Sequence, residues 1–345
     1  MAAYISFQPR DYFSPKLYTG TGAEQAITGV GFQPDMVWQK SRSATTSPSI
    51  HDAVRGATYE IYSSANDAQA DYAQTCKSFD SDGFTVGTDS GWNASGATMV
   101  AWSWRMGTTT GLPSPGDLNN SNPYSFNQTA GQSVIQYTGD GSSGSTVGHG
   151  LGKKPGMIII KRTDGAVDWQ VYNEVVGATK YAILNTTATF ASNSGAWANT
   201  EPNSTNFQLG TNGECNTSSG TYIAYVFAPI NGFSKFGLYP GNGNADGTFV
   251  YTGFRPAFIM VKTTGTNVWL VMDNKRSPYN VMTDYLKVNN TDAENDDENV
   301  CDFLSNGFKL RSSNGKYNGL GSDYAYAAFA EFPFVSSNSK AGTAR

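Results

Sequence analysis

Charged side chains are scarce in this chain of 345 residues, at 15% where soluble domains typically carry ~25%. Basic residues number 23 against 28 acidic ones, for a net charge of −5. The clustered cationic charge that a nucleic-acid backbone requires is missing, so no nucleic-acid partner is expected. There are only 3 cysteines, Cys76, Cys215 and Cys301, too far apart for a disulfide framework or a zinc CxxC site. They read as buried small residues. The N-terminus lacks the positive segment and apolar run of a secretory signal, so synthesis in a cytosol is expected. No stretch approaches the ~18 apolar residues of a membrane helix, and no membrane insertion is expected. Histidines number 2, His51 and His149, in neither an HExxH nor a GxSxG context. A catalytic role is not expected of either, and His51 beside Asp52 reads as a loop pair.

What the chain does have is aromatics (13%), 38 glycines and many Ser, Thr and Asn. That composition suits short strands joined by polar turns. Within it a pattern recurs three times. A Pro precedes a Lys by six residues, with an apolar run between: Pro34 to Lys40, Pro155 to Lys161 and Pro256 to Lys262. A Tyr-x-Gly-x-Gly turn precedes each Pro, starting at Tyr18, Tyr137 and Tyr239. A short strand signal centred on Phe84, Phe207 or Phe308 follows the Pro by 50, 52 and 52 residues. Each copy closes on an aromatic strand, read as Met99–Trp104, Tyr222–Phe227 and Tyr326–Glu331. Ordered landmarks at near-constant spacing establish an internal repeat.

The Pro-to-Pro interval is 121 residues and then 101, so the first interval carries an excess of 20, placed between Arg105 and Val134. The expected organisation is a first β repeat over 1–106, a linker over 107–132, further repeats over 133–230 and 231–335, and a flexible tail over 336–345. The expected fold is all-β: three tandem small antiparallel β-sandwich repeats, jelly-roll-like. The closing strand puts Met99, Ala101 and Ser103 on one face and Val100, Trp102 and Trp104 on the other. Both faces are apolar enough for a central strand. Helix signals are few; residues 65–73 suggest one short helix, and 284–298 is too acidic and Asn-rich for another.

Candidate chemistry is thin. The repeated Lys reads as a strand end at the solvent edge, its stem lying on apolar surface. The alternative is an ion pair with a ligand or partner. Gly148-x-Gly150-x-Gly152 has no helix behind it and reads as a tight turn rather than a phosphate cradle. Asp80–Gly83 and Asp292–Glu298 carry oxygen ligands of the kind calcium takes, but read as a hairpin turn and a solvated acidic loop. No cofactor is expected. Trp92 and Trp197 lie in Gly/Ser/Asn-rich loops. Such a ring is read first as packing in the interior; if exposed, it could stack on a sugar face, and the two are the candidate binding residues.

The run Phe7-Gln-Pro-Arg-Asp-Tyr-Phe13, with Ile27–Trp38, Asp52–Ala57 and Phe79–Gly87, resembles a family of uncharacterised repeat domains in marine bacteriophage virion proteins. Copy two, with Tyr137–Gly141 and Val147–Gly152, is similar to that family's second domain. The likeness covers roughly residues 4–230; copy three departs, lacking the Gly-Ala pair that Gly56-Ala57 and Gly177-Ala178 supply. It implies a non-enzymatic structural protein of the virion, a tail fibre, tail tip or appendage used in host-surface attachment. The alternatives are a capsid decoration protein and a polysaccharide depolymerase. It implies other virion proteins as partners, with a host surface glycan or protein, and a homo-oligomer, a trimer by analogy. It carries no catalytic residues.

Overall fold

The computed structural model describes residues 5–333, so the tail expected over 336–345 lies outside the described residues. In the first copy the strands are β1 (Phe13–Thr19), β2 (Gln25–Thr28), β3 (Met36–Ser41), β4 (Ser49–Asp52), β5 (Gly56–Tyr62), β6 (Ala70–Asp71), β7 (Cys76–Asp80), β8 (Gly83–Val86) and β9 (Thr98–Trp104). The second holds β10 (Tyr124–Asn127), β11 (Gln132–Thr138), β12 (Thr146–Gly148), β13 (Met157–Arg162), β14 (Gln170–Asn173), β15 (Lys180–Ile183), β16 (Ala191–Ser192), β17 (Asn206–Gln208) and β18 (Thr221–Phe227). The third holds β19 (Ser234–Pro240), β20 (Phe249–Tyr251), β21 (Phe254–Thr263), β22 (Leu270–Asp273), β23 (Leu286–Lys287), β24 (Cys301–Leu304), β25 (Gly307–Leu310) and β26 (Asp323–Pro333). The chain is all-β, in several antiparallel sheets, interrupted among the described residues by three α-helices of four residues each and a 3-10 turn at Pro9–Asp11. The segment 65–73 is not helical. Its last residues form β6, which pairs with β5, because Asn, Asp and Gln around Ala65 favour a turn over a helix start.

The large sheets run β1-β9-β3-β4-β5-β6, then β10-β11-β18-β13-β14-β15-β16, then β19-β26-β21-β22-β23. In each, the closing strand lies between the strand that carries the repeated Tyr (β1, β11 or β19) and the Pro-to-Lys strand. Smaller sheets, β2-β8-β7, β12-β17 and β20-β25-β24, contain the Phe-centred strand of each copy. Strand register corrects one alignment. Tyr18, Tyr137 and Tyr239 face Met99, Tyr222 and Tyr324, so the third closing strand begins two residues earlier than its Ala-rich sequence suggests. A two-residue slip keeps every side chain on its face, which is why the pattern hides it. Part of the expected linker also belongs to a sheet: Tyr124–Asn127 is β10, paired with β11.

The first two closing strands divide their side chains between two cores as alternation requires. Ala101 joins a cluster with Ile27, Phe84 and Val86, whereas Val100, Trp102 and Trp104 face a core that all three copies share. In copy two, Ile158 and Ile160 face their own small sheet, and Met157 and Ile159 the shared core. The copies therefore do not follow one another as separate beads. Trp104, Phe227 and Phe329, equivalent by register, meet at ring-centroid distances of 6.1, 5.7 and 5.6 Å. Beside them Trp38, Ile159 and Met260 line an apolar cavity of about 20 Å³ on this approximate threefold axis. Burying rings of this size stabilises a fold by roughly 1.5–3 kcal/mol each.

Candidate interaction surface

The repeated lysine does not end its strand in solvent. Lys40, Lys161 and Lys262 are all buried, and each ammonium donates to backbone carbonyls. Lys161 Nζ donates to the carbonyls of Arg162 (2.7 Å), Val167 (3.1 Å) and Gly165 (3.2 Å), and across to Asn66 of copy one (3.2 Å). Lys40 Nζ reaches the carbonyls of Ser41 (3.1 Å) and, in copy three, Thr291 (3.2 Å). Lys262 Nζ takes the carbonyls of Thr263 and Gly265. Burial pulls each ammonium down to about 8. The strand's apolar run carries the lysine inward, and the loop beyond it wraps the ammonium with carbonyls that would otherwise lack donors.

Other repeated positions also tie copy to copy. Trp169 Nε1 donates to the carbonyl of Tyr62 (3.0 Å), and Trp269 Nε1 to that of Ile183 (3.0 Å). Copy one has Pro48 at this position. There Ser63 Oγ reaches the Val288 carbonyl of copy three at 2.6 Å. Asp52 and Asp273 each hold an arginine three residues on, Arg55 at 2.6 Å and Arg276 at 2.5 Å. Each also accepts from an aromatic of a neighbouring copy: Asp52 from the Tyr225 hydroxyl (2.7 Å), Asp273 from Trp102 Nε1 (2.9 Å). Tyr225 and Trp102 occupy equivalent places in their closing strands. In the third junction the corresponding residues are Asn173, Val176 and Ala327. Carboxylate, guanidinium and aromatic donor are replaced together, as a buried ion pair demands, because one member left alone would be an uncompensated charge. The Asp-x-x-Arg spacing, present twice, was the signal in the sequence that could have found this.

The exposure expected of Trp92 and Trp197 is not met. Trp92 lies on the helix Ser90–Asn93 (α1), capped by Asp89, whose side chain accepts from the Gly91 N–H. Its ring is buried, and Nε1 donates to Glu60 Oε1 (2.8 Å) and Ser49 Oγ (3.0 Å). Trp197, on the helix Ser194–Trp197 (α2), packs edge-on against Tyr172 at 5.7 Å. The polar residues around both are helix caps, which turn the following ring inward. Cys76, Cys215 and Cys301 are buried and free.

His51 is buried against Trp92, with Glu60 Oε1 3.5 Å from Nε2. His149 is buried and accepts the Leu151 N–H on Nδ1, so Nε2 carries the proton and donates to the Asn203 carbonyl at 3.2 Å. Burial pulls it down to about 4. The acidic candidates are occupied by protein groups. Asp82 accepts the N–H groups of Gly29 (2.9 Å) and Gly31 (2.7 Å). Asp80 accepts the hydroxyls of Ser78 and Thr85. Glu294, expected in a solvated loop, binds Arg42 (2.6 Å) and Arg276 (2.9 Å) and so closes the junction between copies one and three. Two surface grooves flank the insertion, of about 380 Å³ beside Phe7, Lys153 and Asn231 and about 340 Å³ beside Val54, Asn122 and Tyr124. Neither gathers more than one ionisable side chain.

No residue pattern marks where apolar surface is left open. Phe249 and Tyr251 of β20 are 45% and 53% exposed, and Lys235 of β19 lies beside them. Lys235 ties the two strands, its ammonium 2.7 Å from the Tyr251 carbonyl and 5.3 Å from that ring's centre. This cluster of outward rings beside a cation is the candidate interaction surface.

A family profile described as a domain of unknown function, DUF7483, matches residues 8–333. No curated protein matches the chain.

Proposed function

Because the chain belongs to the DUF7483 family, whose description assigns no activity, we infer its function from its own residues. We propose a non-enzymatic structural protein of a bacteriophage virion, built of three antiparallel β-sandwich repeats. It serves in a tail fibre, tail tip or appendage that contacts the host surface or other virion proteins. The observation that carries this reading is the use of the repeated side chains. Two of the three lysines, the Asp–Arg pairs and the strand tryptophans bind one copy to the next, and β20 leaves two aromatic rings open to other molecules. A rigid block with an exposed ring cluster suits adhesion and assembly. The threefold arrangement expected of a fibre is already present inside one chain. A compact block also favours the second reading, a capsid decoration protein that cements shell subunits.

Immunogold labelling of intact particles with an antibody against this chain tests the reading. Gold at the tail or an appendage is the expected result. A regular distribution over the head selects decoration, and unlabelled particles overturn the virion assignment. Shortening of host capsular polysaccharide by the purified protein would overturn the non-enzymatic part.

A further inference from the structure

The second copy shows what this architecture does with the outer edge of its small sheet. In β12 the central residue, Val147, faces β17, and Thr146 and Gly148 turn their backbone groups outward. The inserted segment satisfies all four groups. The Leu118 N–H donates to the Thr146 carbonyl at 3.1 Å, and the Thr146 N–H donates to Asp117 Oδ2 at 3.0 Å. The Gly148 N–H donates to Asn119 Oδ1 at 3.0 Å, and Asn119 Nδ2 donates to the Gly148 carbonyl at 2.8 Å. The approach is so close that a Cβ on Gly148 would stand 2.3 Å from the Ser114 carbonyl oxygen.

Copy three has the same edge, and among the described residues no segment covers it. The Leu310 N–H donates to the Thr248 carbonyl and the Thr252 N–H to the Asn306 carbonyl, so even-numbered residues bond β25. The backbone groups of Phe249 and Tyr251 therefore point outward, and among the described residues only the Tyr251 carbonyl has a partner there, Lys235. Where copy two has Thr146 and Gly148, copy three has two exposed rings. The first copy has Ala26 and Thr28 in β2, without rings.

We propose that β20 is a self-association edge that pairs antiparallel with β20 of a second copy of this chain. A twofold axis at Val250 sets Phe249 opposite Tyr251 of the other copy, and Tyr251 opposite its Phe249. Both are outward-facing residues, so each pair exchanges N–H and C=O bonds in the narrow geometry of an antiparallel ladder, the Tyr251 carbonyl accepting on the lone pair that Lys235 leaves free. Each pair also sets two aromatic side chains directly across from one another. Two outward residues flanking one inward residue form a self-complementary edge, as an isologous contact requires. The pairing supplies in the dimer what the insertion supplies to copy two within the chain. It does not depend on the virion assignment, since it is read in solution from the purified protein.

Sedimentation velocity across a concentration series is the first measurement. The expected result is a reversible dimer with a Kd of roughly 1–100 μM, as a small interface gives. Phe249→Thr with Tyr251→Gly copies the residues of β12 and is expected to raise that Kd at least about tenfold, with an unchanged circular dichroism spectrum. If that variant fails to fold, Phe249→Lys alone serves, because a charge on an edge strand blocks pairing. Register is tested by crosslinking. Phe249→Cys mixed with Tyr251→Cys is expected to form a disulfide faster than either variant alone. Paired residues in this geometry lie ~5.5 Å apart, within disulfide range. A monomer at ~1 mM, an unchanged Kd in the variants, or equal crosslinking rates would each overturn the proposal. So would capture of a different particle protein on this edge by a chain that itself stays monomeric.

Discussion

The hydroxyl of Tyr225 donates to Asp52 Oδ2 at 2.7 Å, across the junction between the second copy and the first. Asp52 is fully buried, and it also accepts from the equally hidden Arg55 and from the Val54 N–H. The bond has a counterpart in Trp102 on Asp273 and none at the third junction. Tyr225→Phe should lower stability by about 1.5–3 kcal/mol, the usual cost of removing a bond to a charged group. Urea unfolding of the two proteins checks it. Asp52→Ala should cost more, because it strands a buried guanidinium.

Trp104 touches both Phe227 and Phe329, so its truncation opens the axis to all three copies at once. Trp104→Ala should cost about 3–5 kcal/mol in thermal or chemical unfolding. Trp104→Phe, which keeps a ring, should cost much less. Equal losses in the two variants would show that the ring contacts on the axis contribute nothing of their own.

The ammonium of Lys161 satisfies four carbonyls, two more than that of Lys262. Lys161→Met keeps the stem and removes those bonds. It should therefore destabilise more than Lys262→Met, with each loss about 1–3 kcal/mol or above. Hydrogen exchange should also quicken at residues 163–167, the loop that the ammonium gathers. A loop equally protected in both proteins would refute this role.

His149 sets a pH dependence with a definite sign. Its native pKa, about 4, lies below the ordinary 6.5, so between these values the unfolded chain binds more protons. Stability contributed by neutral His149 is complete above pH 6.5 and lost as pH falls toward 4. The loss should be about 3 kcal/mol, at ~1.4 kcal/mol per pKa unit. The difference between wild type and His149→Gln, followed by urea unfolding across that range, isolates the contribution. A difference that does not change with pH would refute it.

Much of the fold was legible because strands announce themselves locally. The run from Pro155 to Lys161 is apolar at every residue between Met157 and Ile160, and the protein covers both of its faces. The lysine that ends it was misread for the same reason. A charge after an apolar run looks like the exit to solvent, and only the loop that returns over Lys161 shows otherwise. Trp92 and Trp197 failed similarly, since helix caps and exposed loops use the same residues. The shared axis could not be read at all. Trp104, Phe227 and Phe329 are more than 100 residues apart in sequence, and nothing local distinguishes a ring that meets its own copy's core from one that meets the other two.

That axis also limits what can be cut from the gene. A single copy expressed alone would turn the face bearing Trp104, Phe227 or Phe329 to water, together with half of each ion-paired junction. The boundaries between the copies are therefore not places where a folded fragment can be taken. Loss of any one copy would leave the other two without an inside, so the chain is held to three by its own interior.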